Sequence, residues 1–135
     1  MDDSERPAWR MTQYEARVLQ DLSSLAAELK QPNVPEHLLT VVTNARKGGQ
    51  PWKVFRTLVE HGYLQHNPAT QRYRRTGKTI PLGSLVGANP NPILPGAITR
   101  AVKLWKKGRR NLTAEDLKDP KEERISRGLP IHGEG

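Results

Sequence analysis

Residues 54–74 read VFRTLVEHGYLQHNPATQRYR, and this stretch decides the fold of the chain. Its first half has apolar residues at helical spacing and ends at Gly62, a residue type that commonly terminates helices because it tolerates a left-handed backbone. Two short strands with a turn at 67–70 follow, and a proline in the second position of that turn favours type I geometry. The predicted order is a helix, a tight turn and a β-hairpin whose second strand is rich in arginine.

Two further helices are predicted before this stretch. Thr12 and Glu15 have the spacing of a capping box, and an apolar stripe continues from there at helical intervals. A second helix is predicted over 35–45, with a proline in its first turn, and the turn 46–49 follows it. The third helix begins near Pro51, and its apolar side consists of Val54, Phe55, Leu58 and Val59.

The 135-residue chain is predicted to form one small domain with extensions. We expect a flexible arm over 1–10, a domain of helices and hairpin over 11–78, and a proline-rich linker over 79–96. A basic amphipathic helix is predicted over 97–110, and a charged, partly disordered tail over 111–135. The expected fold class is mainly α with a small β-hairpin, extended by the C-terminal basic helix and tail.

The net charge of +8 is concentrated in two segments. Residues 44–78 contain eight basic and one acidic side chains, and residues 97–110 contain six basic and no acidic ones. Residues 79–96, between them, contain no charged side chain. A surface without a specific partner usually mixes both signs. This distribution indicates a polyanionic partner, with nucleic acid the first choice and an acidic membrane surface the second.

The run from Trp52 to Arg74 resembles the N-terminal DNA-binding domain of IclR-type bacterial transcriptional regulators. In that family a recognition helix ending in R-T-L-V-E-x-G-Y-L leads into a hairpin with the sequence D-P-A-T-G-R-Y-R. This chain has RTLVEHGYL at 56–64 and NPATQRYR at 67–74. The resemblance implies a winged helix-turn-helix over 11–78, which binds duplex DNA with its third helix in the major groove and its hairpin, the wing, along the backbone.

The same resemblance carries expectations about organisation. The chain after the wing is short and rich in proline and charge, so the effector domain of those regulators is expected to be absent. No small-molecule ligand and no cofactor are therefore expected. A bacterial or phage origin follows from the resemblance alone.

The predicted nucleic-acid contacts lie around the third helix and on the wing. Arginine, lysine and glutamine suit base edges and phosphates, and arginines on a wing suit phosphates or a narrow minor groove. The candidate residues are Lys47, Gln50, Trp52, Lys53, Arg56, Thr57, Arg72, Arg74, Arg75 and Lys78. For Trp52, packing within the protein is an equally good interpretation. For the wing arginines, the alternative is a charged edge strand that prevents aggregation.

A second basic patch is predicted on the C-terminal helix. Its members are Arg100, Lys103, Lys106, Lys107, Arg109 and Arg110. These cations suit additional phosphate contacts, an acidic protein partner, or simple stabilisation of the helix dipole. A homodimer is also predicted, through 14–29 or 97–107, because small DNA-binding domains often pair to match two half-sites. The leucine spacing of the first segment suits a coiled-coil seam and a core helix alike.

Catalytic and metal sites are not indicated by the sequence. The chain has no cysteine, and its four histidines lack metal-ligand spacing. The sequence Gly77-Lys78-Thr79 lacks the first glycine of a phosphate-binding loop. No apolar run has the length of a membrane span, and the N-terminus has no signal-peptide pattern.

We therefore expect a non-enzymatic, cytoplasmic, nucleoid-associated protein that binds double-stranded DNA and regulates transcription, with no metal and no membrane contact. One alternative is a winged-helix module that docks onto a larger nucleic-acid machine. Another is an RNA-binding protein, because basic domains also bind RNA by its shape.

Overall fold

The structure is a computed structural model of the chain and describes residues 9–47 and 50–117. In that part, helices combine with a small antiparallel sheet. The elements are α1 (Gln13–Leu29), β1 (Val34–Pro35), α2 (Glu36–Arg46), α3 (Pro51–Glu60), β2 (Leu64–Asn67), β3 (Arg72–Arg75) and α4 (Ala97–Lys106), with short 3-10 turns at Leu82–Ser84 and Ala114–Leu117. The helix-rich composition agrees with the prediction, and the sheet has one strand more than the predicted hairpin.

Helix α1 begins with the predicted capping box. The Thr12 hydroxyl accepts a hydrogen bond from the Glu15 backbone N–H at 3.0 Å, and the Glu15 carboxylate accepts one from the Thr12 N–H at 2.8 Å. The two bonds satisfy amide donors that have no partner inside a helix. The prediction made from these two residues is confirmed.

The predicted helix, turn and hairpin are also present. Pro51 occupies the first turn of α3, where the missing N–H of proline is harmless, and Gly62 follows the helix with a φ of 83°. Strand β2 then pairs antiparallel with β3. In the connecting turn, the Asn67 side-chain oxygen accepts a hydrogen bond from the Ala69 N–H at 3.0 Å. Short-range signals therefore determine the local shape of this region.

Strand β1 was not predicted from the sequence. Val34 pairs with Tyr73 and Pro35 pairs with Arg72, which gives the sheet order β1-β3-β2. The predicted second helix accordingly starts one residue later than expected, after Pro35 instead of on it. This pairing places β3 in the centre of the sheet and fixes the hairpin to the helices.

One hydrophobic core joins the helices and the sheet. Its buried side chains include Leu19, Leu38, Val42, Phe55, Leu58, Tyr73, Ala101 and Val102. Val18, Leu22 and Leu25, which suited either a coiled-coil seam or a core helix, are completely buried in this core. The core interpretation is right for these three residues, whereas Leu29, the last residue of the stripe, is half-buried against the core.

The segment 79–96 is packed on the domain, which corrects the prediction of a linker. The Val86 N–H donates to the Met11 carbonyl at 3.0 Å, and the Gln13 N–H donates to the Val86 carbonyl at 2.9 Å. Helix α4 then contributes Ala101 and its neighbours to the shared core. The proline-rich segment thus returns the chain across the surface of the domain and delivers α4 to the same core.

The predicted termini need correction where the structure describes them. Trp9, assigned to the flexible arm, stacks on His61 with ring centroids 4.0 Å apart, and the Arg10 guanidinium donates to the Ser84 carbonyl at 3.2 Å. Helix α4 ends at Lys106, short of the predicted 97–110. The rest of the predicted arm, 1–8, and most of the predicted tail, 118–135, lie outside the described residues.

A buried ion pair joins α1 to α2. The Arg46 Nε and Nη2 atoms donate to the two Asp21 carboxylate oxygens at 2.7 and 2.8 Å. The Arg46 Nη1 atom donates to the Asn91 carbonyl at 2.8 Å, so the guanidinium also holds the proline-rich segment. Both charged side chains are only 4% exposed. Arg46 was predicted to lie in the turn after the second helix, and no local sequence pattern links it to Asp21.

Replacing Asp21 with Asn tests the ion pair. The variant keeps the shape of the side chain but leaves the Arg46 guanidinium buried without an anion. We expect the free energy of unfolding to fall by about 3–5 kcal/mol, measured by urea denaturation. The control is Glu60→Gln, which removes the exposed partner of Arg56 and should cost less than about 1 kcal/mol. Equal losses in the two variants would contradict the assignment.

Candidate nucleic-acid interface

Helix α3 divides its side chains between the core and the solvent. Phe55 and Leu58 are buried, whereas Trp52, Lys53 and Arg56 are exposed. The division follows from the helical period, which returns to the same face every three or four residues. The cations predicted for the outward side of this helix therefore lie there.

The exposed cations of α3 are available to a ligand. The Lys53 ammonium group makes no hydrogen bond or ion pair within the part of the chain that the structure describes. The Arg56 Nε atom lies 3.6 Å from a Glu60 carboxylate oxygen, and both side chains are well exposed. Such a solvent-screened pair is weak, so Arg56 can exchange Glu60 for a phosphate or a base edge. Thr57, also a candidate, is half-buried beside them.

Trp52 is the largest exposed apolar side chain of α3. It is 62% exposed, and its ring meets no other aromatic ring in the described chain. Packing within the protein, the alternative interpretation for this residue, does not hold for the described residues. Trp52 is followed by Arg56 and Val59 at helical spacing, so the three side chains form one exposed stripe, which we call the α3 stripe.

Lys47 and Gln50 lie on either side of the turn before α3. Both are exposed, as expected for contact residues. Lys47 has a φ of 59°, a backbone conformation that is strained for a residue other than glycine. Its side chain projects from the point where the chain leaves α2 for α3.

The hairpin sorts its arginines onto two faces. Arg72 pairs with Asn67 and Arg74 pairs with Gln65, so these four residues share the face away from the core. The Arg74 guanidinium donates to the Gln65 side-chain oxygen at 2.9 Å, and the Arg72 guanidinium donates to the Asn33 carbonyl at 3.1 Å. Arg72 and Arg74 therefore share one face, as the alternation of side chains along a strand requires.

Two predicted contact residues have structural partners instead. Arg75 faces α1, where its guanidinium donates to the Ser23 hydroxyl at 3.2 Å and its Nε atom is buried without a partner in the described chain. The Lys78 ammonium donates to the His61 carbonyl at 2.9 Å and lies 4.7 Å from the centre of the Tyr63 ring. A cation at the end of a helix stabilises the exposed carbonyls there. Arg75 is therefore removed from the candidate site, and Lys78 stabilises the end of α3.

A surface groove connects the α3 stripe to the outer face of the hairpin. We call it the wing groove; its lining is Asn33, Val59, Leu64, Gln65, His66, Asn67, Pro68, Arg72 and Arg74. Val59 is the last member of the α3 stripe, so the stripe ends at the wall of this groove. Arg72 and Arg74 of the hairpin border the same concave surface. Helix α3 and the hairpin thus present their exposed side chains side by side.

An aromatic cluster supports the inner side of the hairpin. The Tyr73 ring lies 5.2 Å from the Phe55 ring and 4.5 Å from the His66 ring. Burial, with a smaller contribution from Glu36, raises the pKa of the Tyr73 hydroxyl above its ordinary value, so this side chain stays neutral. The contact of His66 with Tyr73 was not predicted, although residues directly opposite each other in a hairpin are expected to pack together.

Part of the second basic patch also has structural roles. The Arg100 Nε atom donates to the Leu117 carbonyl at 2.6 Å, and Arg109 lies 3.2 Å from the Asp116 carboxylate. A hydrogen bond from the Thr113 N–H, helped by Arg109, holds the pKa of the Asp116 carboxyl below its usual value. These two arginines fasten the segment after α4. The other four cations of the patch are exposed.

Other kinds of site find no support in the described residues. Within 9–47 and 50–117, no three His, Asp or Glu side chains are grouped as metal ligands would be. In the same part of the chain, no helix is long and apolar enough to cross a bilayer. Comparison of the chain with known protein families, curated proteins and solved structures finds no match. The functional interpretation therefore depends on the geometry described above.

Arg74 and Arg75, two neighbouring arginines of the hairpin, should differ in their effect on stability. We expect Arg75→Gln to lower the free energy of unfolding by about 1–3 kcal/mol, because it breaks a half-buried hydrogen-bond network. Arg74→Gln, on the exposed face, should change it by less than about 0.5 kcal/mol. Urea denaturation of both variants measures the difference. A larger loss for Arg74→Gln would reverse the assignment of the two faces.

Proposed function

We propose that this chain is a winged-helix protein that binds double-stranded DNA through α3 and the β2–β3 hairpin. Two observations support the fold: the element order α1-β1-α2-α3-β2-β3 and the sheet order β1-β3-β2, which attach a basic hairpin directly after the third helix. In helix-turn-helix proteins the recognition helix lies in the major groove. The observation that carries the function is the α3 stripe running into the wing groove beside Arg72 and Arg74.

Helix α3 supplies the side chains that read bases. The Arg56 guanidinium fits the two acceptors of guanine, and the exposed amide of Gln50 at the start of the helix fits adenine. Lys53 adds a cation with no partner in the described chain. The Trp52 ring suits the deoxyribose or a thymine methyl group. Lys47 extends this cationic edge toward the phosphates that flank the groove.

The hairpin supplies phosphate contacts. The hydrogen bonds of Arg72 and Arg74 to a carbonyl and an amide oxygen are neutral on the acceptor side. A phosphate is a stronger acceptor because its bond to arginine is charge-assisted. DNA can therefore displace these partners without leaving a buried charge unpaired. Binding through such contacts weakens steeply as salt is added.

The biological role that fits this chemistry is sequence-specific regulation of transcription on the nucleoid of a bacterium, by a protein of bacterial or phage origin. A homodimer would match two half-sites. The apolar side chains of 14–29 and much of the apolar face of 97–107 are used in the chain's own core. A dimer through either segment would therefore use the surface that the segment leaves exposed.

Trp52 favours a second candidate function, docking on another protein. A tryptophan that is 62% exposed beside cations has the composition of an interface hot spot. In this alternative the helix and hairpin act as a scaffold on a larger nucleic-acid machine. Salt dependence separates the two: a steep loss of duplex affinity with salt supports DNA binding, and binding to duplex that is weak and insensitive to salt supports docking.

Paired substitutions test the proposed roles on duplex DNA. Sequences are selected from a random duplex pool, and affinity is then measured by fluorescence anisotropy on a selected and on a scrambled duplex. Lys53→Ala with Arg56→Ala should reduce the preference for the selected duplex. Arg72→Ala with Arg74→Ala should weaken both duplexes alike and make the logarithmic salt slope about 2 less steep.

The control for these variants is Arg17→Ala, which removes an exposed cation of α1 outside the wing groove. It should leave both affinities within about twofold, because it removes only weak long-range attraction. Unchanged binding in both paired variants would contradict the site. Tighter binding to double-stranded RNA than to DNA would favour the RNA alternative.

A further inference from the structure

Arg72 of the hairpin and Trp105 of α4, far apart in the sequence, line a common groove beside the hairpin turn. A second groove, which we call the α4 groove, is lined by Pro35, Glu36, His37, Thr40, Thr70, Gln71, Arg72 and Trp105. Trp105 comes from α4, and Thr70 to Arg72 belong to the hairpin. Arg72 lines both the α4 groove and the wing groove. The end of α4 therefore lies across the hairpin from α3.

The end of α4 is held firmly in that position. The Trp105 ring lies 6.4 Å from the His37 ring, and the His37 Nε2 atom accepts a hydrogen bond from the Leu112 N–H at 2.9 Å. The Arg110 guanidinium lies 3.9 Å from the centre of the Trp105 ring and donates to the carbonyls of Trp105 and Arg109 at 2.9 and 3.0 Å. Arg110 is thus an exposed cation in a fixed orientation.

The cations around Arg110 have few competing partners. The side chains of Lys103 and Lys107 are exposed and make no hydrogen bond or ion pair in the described chain. Lys106 reaches only the Glu28 carbonyl, at 3.4 Å. The acid in the α4 groove is Glu36, which lies 3.1 Å from the His66 ring nitrogen. Lys106, Lys107 and Arg110 form no ion pair in the described chain, so an anion can displace water from these cations without breaking one.

From these contacts we infer that the end of α4, through Lys106, Lys107 and Arg110, is a second phosphate-binding surface that engages duplex DNA beyond the wing. This inference rests on the proposed function. Because the hairpin lies between α3 and the end of α4, a duplex that only covers α3 and the wing stops short of Arg110. A longer duplex continues over Arg72 and reaches these cations, so its affinity includes both basic segments.

The cations at the end of α4 should therefore contribute to affinity only on a duplex that is long enough to reach them. The double variant Lys107→Gln with Arg110→Gln should bind a selected duplex of about 12 base pairs, roughly one helical turn, within about twofold of the original protein. On a duplex of about 30 base pairs with the same central sequence, it should bind about tenfold more weakly at low salt. Its logarithmic salt slope there should be about 2 less steep.

Arg17→Gln is the matched control, since it removes an exposed cation that lines neither groove. The effect of this substitution on affinity should be small and the same for both duplex lengths. The retained affinity of the double variant for the short duplex shows that the domain is folded. Equal losses on both lengths, or no loss on the longer duplex, would overturn the inference while leaving α3 and the wing as the binding site.

Failure of the proposed function gives a different result. In that case the original protein binds neither duplex, or the change of Arg72 and Arg74 to Gln leaves both affinities unaltered. Either result removes the basis of the inference as well. Loss of binding in the hairpin variant on both lengths, together with loss in the α4 variant on the longer duplex alone, is the pattern that supports both assignments.

Discussion

The buried pair of Asp21 and Arg46 is the constraint on which the arrangement of this protein depends. A charge that is nearly inaccessible to water is tolerated only when its partner and hydrogen bonds are in place. Here one guanidinium satisfies that requirement by binding α1 through the carboxylate and the proline-rich segment through the Asn91 carbonyl. Because Arg46 is the last residue of α2, the pair fixes the point from which the chain turns into α3.

A second constraint is the pairing of β1 with β3, which fixes the position of the hairpin relative to the helices. Val34 and Pro35 attach the central strand to the start of α2, and the aromatic rings of Phe55 and Tyr73 attach it to α3. The hairpin is therefore a rigid neighbour of α3 and not a loose loop. Rigid placement matters for recognition, since a cation that is already oriented loses less conformational entropy when it meets a phosphate. The same reasoning applies to Arg110, which is held by the Trp105 ring.

Local features of this fold can be predicted from the sequence, whereas its long-range contacts cannot. The capping box of Thr12 and Glu15, the proline that opens α3 and the glycine that follows it each act within a few residues, so their spacing suffices. The outward direction of Arg72 and Arg74 follows from strand alternation. By contrast, the pairing of Arg46 with Asp21 and of β1 with β3 joins residues with no shared local pattern. For the same reason, the sequence did not predict that Arg75 faces α1 or that the segment 79–96 packs on the domain.

Amide chemical-shift mapping tests most directly whether α3, the outer face of the hairpin and the end of α4 bind one duplex. The protein is titrated with a duplex of about three helical turns. If the three surfaces bind together, we expect shifts at 52–59, 65–74 and 105–110, with little change at 92–95 and 114–117 on the proline-rich side. Shifts concentrated in those last two segments, with the amides of α3 unmoved, would contradict it.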